Sequence, residues 1–308
     1  MFLSLFALLQ AWWVLVPVPA LRNGPLVVEV FPHQGLFRIA RQLDGAGVIR
    51  SPAGFALLSA LRGTARSLKA GEYEIPKVAT TLNILKLLES GKVKVHAVLF
   101  PEGATLKDLA RLLEAEHLAR AEDVIRLASD RGFLQALGVE ANSLEGYLFP
   151  DTYYFFKGMS SQEILARMVH RLREVLTADI LAQARARELT RHQLLTLASI
   201  IEKEAAIPAE QPLISAVFWN RLNRGMPLQA DPTVRYALGN PDQALTRADL
   251  QADSPFNTYR YQGLPPAPIA SPGKRAILAA LNPAKVAYFY FVSMDGRRHF
   301  FSTTLEQH

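Results

Sequence analysis

The sequence predicts an α+β protein in three parts. An apolar amino-terminal span covers 1–21, a small βααβ module 22–95, and a larger mixed domain 96–308 that ends in a β-hairpin. Three observations predict this. Met1 to Leu21 contains no charged side chain, which gives roughly the 20 residues that cross a bilayer. From Asn23 onward, short alternating runs bounded by Gly and Pro take turns with runs of helical spacing. One helical run, Leu194 to Ile201, has Thr196 and Ser199 as its only polar members, the mark of a helix buried on most sides.

The chain has 308 residues, 50% hydrophobic and 20% charged, enough for a full core and two domains. A net charge of +6 suits an anionic partner such as a membrane surface or an acidic polymer. Its Lys and Arg residues are scattered and form no nucleic-acid motif, so nucleic acid is not expected. The absence of cysteine excludes disulfides, thiol nucleophiles and Cys-zinc sites. Seven His residues include no HExxH or comparable pair, so neither a metal nor another cofactor is expected.

The amino-terminal run reads as a single transmembrane helix, with Trp12 and Trp13 suited to an interface. The alternative is a cleaved signal peptide with Val18-Pro19-Ala20 before the cut. No basic residue precedes the run, so charge leaves its orientation open.

After it come a strand at Val27–Phe31, helices at 37–43 and 53–61, and a strand within 68–76. This is a βααβ unit of the size and pattern of glycan-binding LysM-type modules. Thr81 is the expected cap of the next helix, which stops at Gly91. Val93–Phe100 is the next expected strand; it runs into Pro101-Glu102-Gly103, and Thr105 with Asp108 makes a capping box. Single helices are expected from Glu122 to Leu137 and from Ser160 to about Leu189. Thr190 and Gln193 cap the apolar helix, and 213–222 forms another. Asp231 is expected to cap a helix through Tyr236. Ser271 with Pro272 should open the last helix, and Asp295-Gly296 turns the closing hairpin.

Glu202 ends the apolar run, where hydrocarbon favours a protonated carboxyl able to act as a general acid. On the helix alone, a solvated end charge followed by Lys203 and Glu204 reads equally well. Glu204 lies about 200° around the helix from Glu202, so the two cannot face one cleft. Around Glu202 the candidate binding residues fall on loops and near helix ends. Glu145, Tyr147, Asp151 and Tyr153 lie in SLEGYLFPDTYYF, where rings flanked by carboxylates suit a sugar, or else simply fill a core. Asn220, Gln229, Asp231, Thr233, Asn257, Thr258 and Tyr259 lie on later connections. Ordinary glycosidases use two carboxylates. A single one suffices for lytic cleavage, in which the sugar's own 6-hydroxyl closes a 1,6-anhydro ring.

Several segments resemble, in order, the endolytic murein transglycosylases of the YceG-like type. They are EGYLFPDTY (145–153), ASIIEKE (198–204), FWNRL (218–222), LQADPTVRYALG (228–239), NTYRYQGLPPAPI (257–269) and YFYFVSMDGRRHFFSTTLEQH (288–308). Phe256 and Ala267 depart from the Tyr and Gly usual in that family. The resemblance implies that Glu202 is the catalytic acid/base. It also implies a LysM-like module and a catalytic domain tethered outside the cytoplasmic membrane. The implied activity is cleavage within new peptidoglycan strands near their synthases, ending strand elongation. A non-catalytic glycan-binding scaffold, or a muramidase pairing Glu202 with Asp231 or Asp151, are the alternatives.

Overall fold

The computed structural model of the chain describes residues 16–19, 26–31, 33–239 and 244–308. Most of the expected 1–21 span lies outside these residues. Its described end, β1 (Val18–Pro19), is extended and pairs antiparallel with Val78–Ala79. Among the described residues no helix is long and apolar enough to cross a membrane. The chain divides into two compact units. One runs through Ala97 and takes in Tyr154–Met159; the other holds Val98–Tyr153 and Ser160–His308.

The first unit contains the expected βααβ arrangement: β2 (Leu26–Val30), α1 (Leu36–Gly45), α2 (Pro52–Leu61) and β3 (Gly71–Ile75). The two strands are antiparallel neighbours, with Leu26 opposite Ile75 and Val30 opposite Gly71. Strand alternation turns Val28 and Val30 inward, and helical spacing does the same for Ile39, Ala40 and Leu43. These meet Phe55 and Tyr73 in one core. Beyond β4 (Val78–Ala79), α3 (Thr81–Ser90) is capped by Thr80, whose hydroxyl accepts from the Asn83 amide. Thr81, the expected cap, is instead the first helical residue and is buried. Tyr154–Met159 joins this unit through Lys157, whose Nζ lies 2.6 Å from Glu72 Oε1.

In the second unit the interior is helical. Val98–Phe100 of β5 (His96–Phe100) and Asp151–Tyr153 of β6 (Asp151–Phe155) belong to it, and between them in sequence lie α4 (Leu106–Ala115), α5 (Ala121–Leu127) and α6 (Arg131–Ala136). The single helix expected over 122–137 is therefore two. Asp130 bonds the Phe133 amide and starts a new helix rather than continuing the old one. The helix expected over 160–189 divides for the same reason. Thr177 caps the Ile180 amide, separating α7 (Ser161–Val175) from α8 (Ala178–Ala186).

At the centre is α9 (Arg191–Glu204), opened by the expected Thr190–Gln193 capping box. All eight residues from Leu194 to Ile201 are buried, so the helix is enclosed on every side. It packs against α8, α10 (Gln211–Asn223), α11 (Asp231–Leu238) and α12 (Lys274–Leu281). Two expected caps move. Ala230 precedes α11, which leaves Asp231 inside its first turn. Gly273 precedes α12, because Ser271 is held extended by hydrogen bonds with Gly103 and Ala104 (both 2.9 Å). The chain ends in the hairpin of β7 (Tyr290–Ser293) and β8 (His299–Ser302), in register at Tyr290 and Ser302. In its turn the Asp295 carboxylate accepts from the Arg297 and Arg298 amides.

Candidate active site

Glu202 stands in the last turn of α9, half-buried, where the apolar run gives out. Its Oε2 accepts the Gly273 amide at 2.9 Å. Among the described residues no other group donates to this carboxyl, which leaves Oε1 for a substrate. Burial raises its proton affinity above the usual carboxylate range. The Gly273 hydrogen bond opposes this, Glu102 adds to it and Lys203 again opposes. A carboxyl in this setting holds its proton more firmly than one in water, as a general acid requires.

The second carboxylate here comes from a distant loop. Glu102 follows β5, and its carboxyl lies so close to Gly273 that a Cβ on that glycine would fall 2.0 Å from Oε1. Gly273 thus sits between both acids and can be no larger without moving one. The approach is fixed by backbone. Gly103 donates to the Ser271 carbonyl, Ser271 donates to the Ala104 carbonyl, and Lys203 Nζ reaches the Gly103 carbonyl at 3.3 Å. The partners that the sequence offers for Glu202 are Glu204 on the same helix, excluded by its angle, and Asp231 or Asp151; Glu102 is not among them. The Pro-Glu-Gly between a strand and a capped helix was the available signal.

One face of α9 holds the loop that carries Gly273. His192 Nε2 donates to the Pro266 carbonyl at 2.7 Å, and Ser199 Oγ accepts the Ile269 amide at 3.1 Å. Positions 192, 199 and 202 span under a quarter turn of the helix. Because the carbonyl must accept, His192 Nδ1 is the acceptor for the Tyr147 hydroxyl at 2.9 Å.

Most of the expected binding residues spend their polar groups on neighbouring chain. Tyr147 and Tyr153 are buried, and the Tyr153 hydroxyl donates to the Phe149 carbonyl. Asp151 accepts from Arg171 at 2.7 Å. Asn220 donates to the carbonyls of Val286 and Tyr288, and Gln229 Oε1 accepts from Arg221. Asp231 accepts from Tyr259 at 2.6 Å. Thr233 and Thr258 share a 2.9 Å hydrogen bond, and Asn257 donates to the carbonyls of Leu250 and Ala252. This network ties α10, α11 and the 250–259 loop together. It also engages Asp231, while Asp151 is held by Arg171 on α7, so the carboxylate beside Glu202 is neither of the two offered by the alternative muramidase reading. Glu204 belongs to this other side of α9: burial pushes it up to about 8, with Asp231 adding and Arg235 and Arg221 opposing.

Glu145 is 6% exposed and accepts the Leu106 amide at 3.0 Å. Burial pushes it up to about 7, against that hydrogen bond. A folded carboxyl whose proton affinity exceeds the unfolded value adds stability below the unfolded pKa and loses it as pH rises through the folded one. The step from 4.5 to about 7 corresponds to about 3 kcal/mol. Stability in urea is therefore expected to fall between about pH 5 and pH 8. Glu145→Gln should flatten part of that fall, with Glu204 supplying the rest. An unchanged slope in the variant would contradict this account.

The fold and site define a two-unit α+β protein built around a half-buried carboxylate at the end of a central helix. The chain belongs to the YceG-like family, whose profile matches residues 28–308. It is 34% identical to the endolytic murein transglycosylase of Bacillus subtilis (strain 168), over 96% of this chain and 86% of that protein. It is 31% identical to the endolytic murein transglycosylase of Streptococcus pneumoniae serotype 2, over 91% of this chain and 56% of the longer relative. The crystal structure of a yceG-like protein from Listeria monocytogenes superposes with a TM-score of 0.65 at 33% identity. That match covers 93% of this chain and 98% of the Listeria chain.

Proposed function

We propose that this protein is an endolytic lytic transglycosylase that cuts the MurNAc–GlcNAc β-1,4 bond within nascent peptidoglycan strands and so ends their elongation. The observation that carries this reading is Glu202, a half-buried carboxyl with raised proton affinity and, among the described residues, one oxygen without a donor. Family membership and relatives that bear the name endolytic murein transglycosylase support the substrate. Glu202 protonates the glycosidic oxygen as the bond from C1 to that oxygen breaks. The 6-hydroxyl oxygen of the same MurNAc bonds to C1, and its proton passes to the Glu202 carboxylate. No water is consumed and the acid is regenerated. The Glu102 carboxylate beside Gly273 favours the positive charge that develops at C1.

In this reading the amino-terminal run anchors the chain in the cytoplasmic membrane, with the catalytic unit on its outer side beside the synthases. The βααβ unit serves as a LysM-like glycan-binding module. The presence of Glu102 also supports a second reading, a muramidase that uses Glu202 and Glu102 as a pair. Mass spectrometry of the products separates the two: lytic cleavage leaves 1,6-anhydro ends, and hydrolysis leaves reducing ends heavier by one water.

Glu102→Gln tests the arrangement. Removing its charge weakens the hold of Glu202 on its proton, so the alkaline limb of the pH–rate profile should move to lower pH. Activity at the optimum should fall by much less than the roughly 10²–10⁴-fold expected for loss of a general acid. A limb that stays in place would show that the two carboxyls are not coupled.

A further inference from the structure

A cavity of about 250 Å³ opens beside α4 and α11, and its charges do not balance. Lys107, Arg111 and Arg235 line it with Asp108, Glu145 and Tyr236. Asp108 is committed to the capping box, accepting the Thr105 amide at 2.9 Å and hydroxyl at 2.7 Å. It is only 3.8 Å from Arg111. Glu145, pushed up to about 7 by burial, is protonated for much of the time at neutral pH. Three cations therefore face the one full carboxylate charge of Asp108 and a partly protonated Glu145, which leaves the lining net positive. Among the described residues Arg235 Nε is buried with no hydrogen-bond partner, a donor left unpaired at a cost.

The cavity adjoins the acid. A Cβ on Gly103 would lie 3.7 Å from Glu202 Cγ. Thr105, which lines the cavity, is two residues on, at most about 7 Å along the chain. The sugars of a murein strand are uncharged at their ring hydroxyls, whereas its stem peptides end in and carry carboxylates. Guanidinium groups match carboxylates in planar geometry. We propose that this cavity is a subsite for the stem-peptide carboxylates of the strand being cut, which makes the enzyme selective for peptide-bearing glycan. The proposal rests on the lytic reading of Glu202.

The test compares peptide-bearing strands with strands stripped by an amidase, which keep the sugar backbone and lactyl carboxylate but lose the peptide. Lys107 and Arg111 are exposed, so the double variant Lys107→Gln, Arg111→Gln should fold normally, as circular dichroism can check. On peptide-bearing strands its kcat/KM is expected to fall roughly tenfold, mostly through KM, as for loss of charge-assisted hydrogen bonds. The loss on stripped strands should be clearly smaller. Equal losses on both strands, or none on either, would overturn the subsite. Wild-type protein that released nothing from either strand would instead overturn the lytic reading.

Discussion

Glu202→Gln is expected to abolish release of anhydro-ended products while leaving the fold intact. General acid–base groups contribute about 10²–10⁴-fold each, and in the proposed reaction one carboxyl does both jobs, so the loss should reach the upper part of that range. Glutamine keeps the shape of the side chain and can still accept the Gly273 amide through its carbonyl oxygen, now at Oε2. It cannot donate a proton to a leaving oxygen. Circular dichroism and the melting temperature should match wild type, because the change removes no packing from α9. Purified Glu202→Gln that still released anhydro muropeptides would show that another group is the acid.

The largest structural effect is expected at Gly146. It sits at φ +78° in a turn closed by the Tyr147 amide on the Leu144 carbonyl (2.9 Å). A Cβ there would lie 2.3 Å from Pro268 Cβ and 2.6 Å from Pro268 Cγ, atoms of a ring tied to the backbone rather than the far end of a flexible side chain. Gly146→Ala thus combines left-handed strain with overpacking, for a loss of about 2–5 kcal/mol in the urea unfolding of the catalytic unit. Pro268 belongs to the loop that presents Gly273 to Glu202, so the surviving folded protein should also be slower. A loss below about 1 kcal/mol would mean that the 266–273 loop yields easily. The contrast with Gly273 is informative. There the obstructing atom is the end of the flexible Glu102 side chain, which can move aside.

Much of the catalytic helix was legible in the sequence. The capping box at Thr190 and Gln193 set its start, the apolar run from Leu194 to Ile201 set its burial, and Glu202 stands at the end of that run. The βααβ pattern of the first unit and the closing hairpin were legible too, since both follow from short-range periodicity and turn residues. Helix lengths were less so. Asp130 and Thr177 sit inside runs with helical spacing, and only their side-chain bonds to nearby amides divide those runs.

The binding residues show the limit more sharply. Asn220, Asp231, Asn257 and Thr258 have the chemistry to hold a sugar, and each spends hydrogen bonds on another part of the chain. Sequence identifies a donor or acceptor, but which partner satisfies it depends on which loops meet. By itself the sequence determined the local facts: which segments are helices or strands, which helix is buried, and which carboxyl ends it. Those depend on neighbours within a few residues. Only the tertiary structure decided that Glu102, a hundred positions away, stands beside Glu202. It also decided that a Gly273 amide reaches the acid, and that Lys107, Arg111 and Arg235 share a cavity. Long-range backbone pairing between Gly103, Ala104 and Ser271 creates the first of these proximities, and no periodicity in the sequence encodes it.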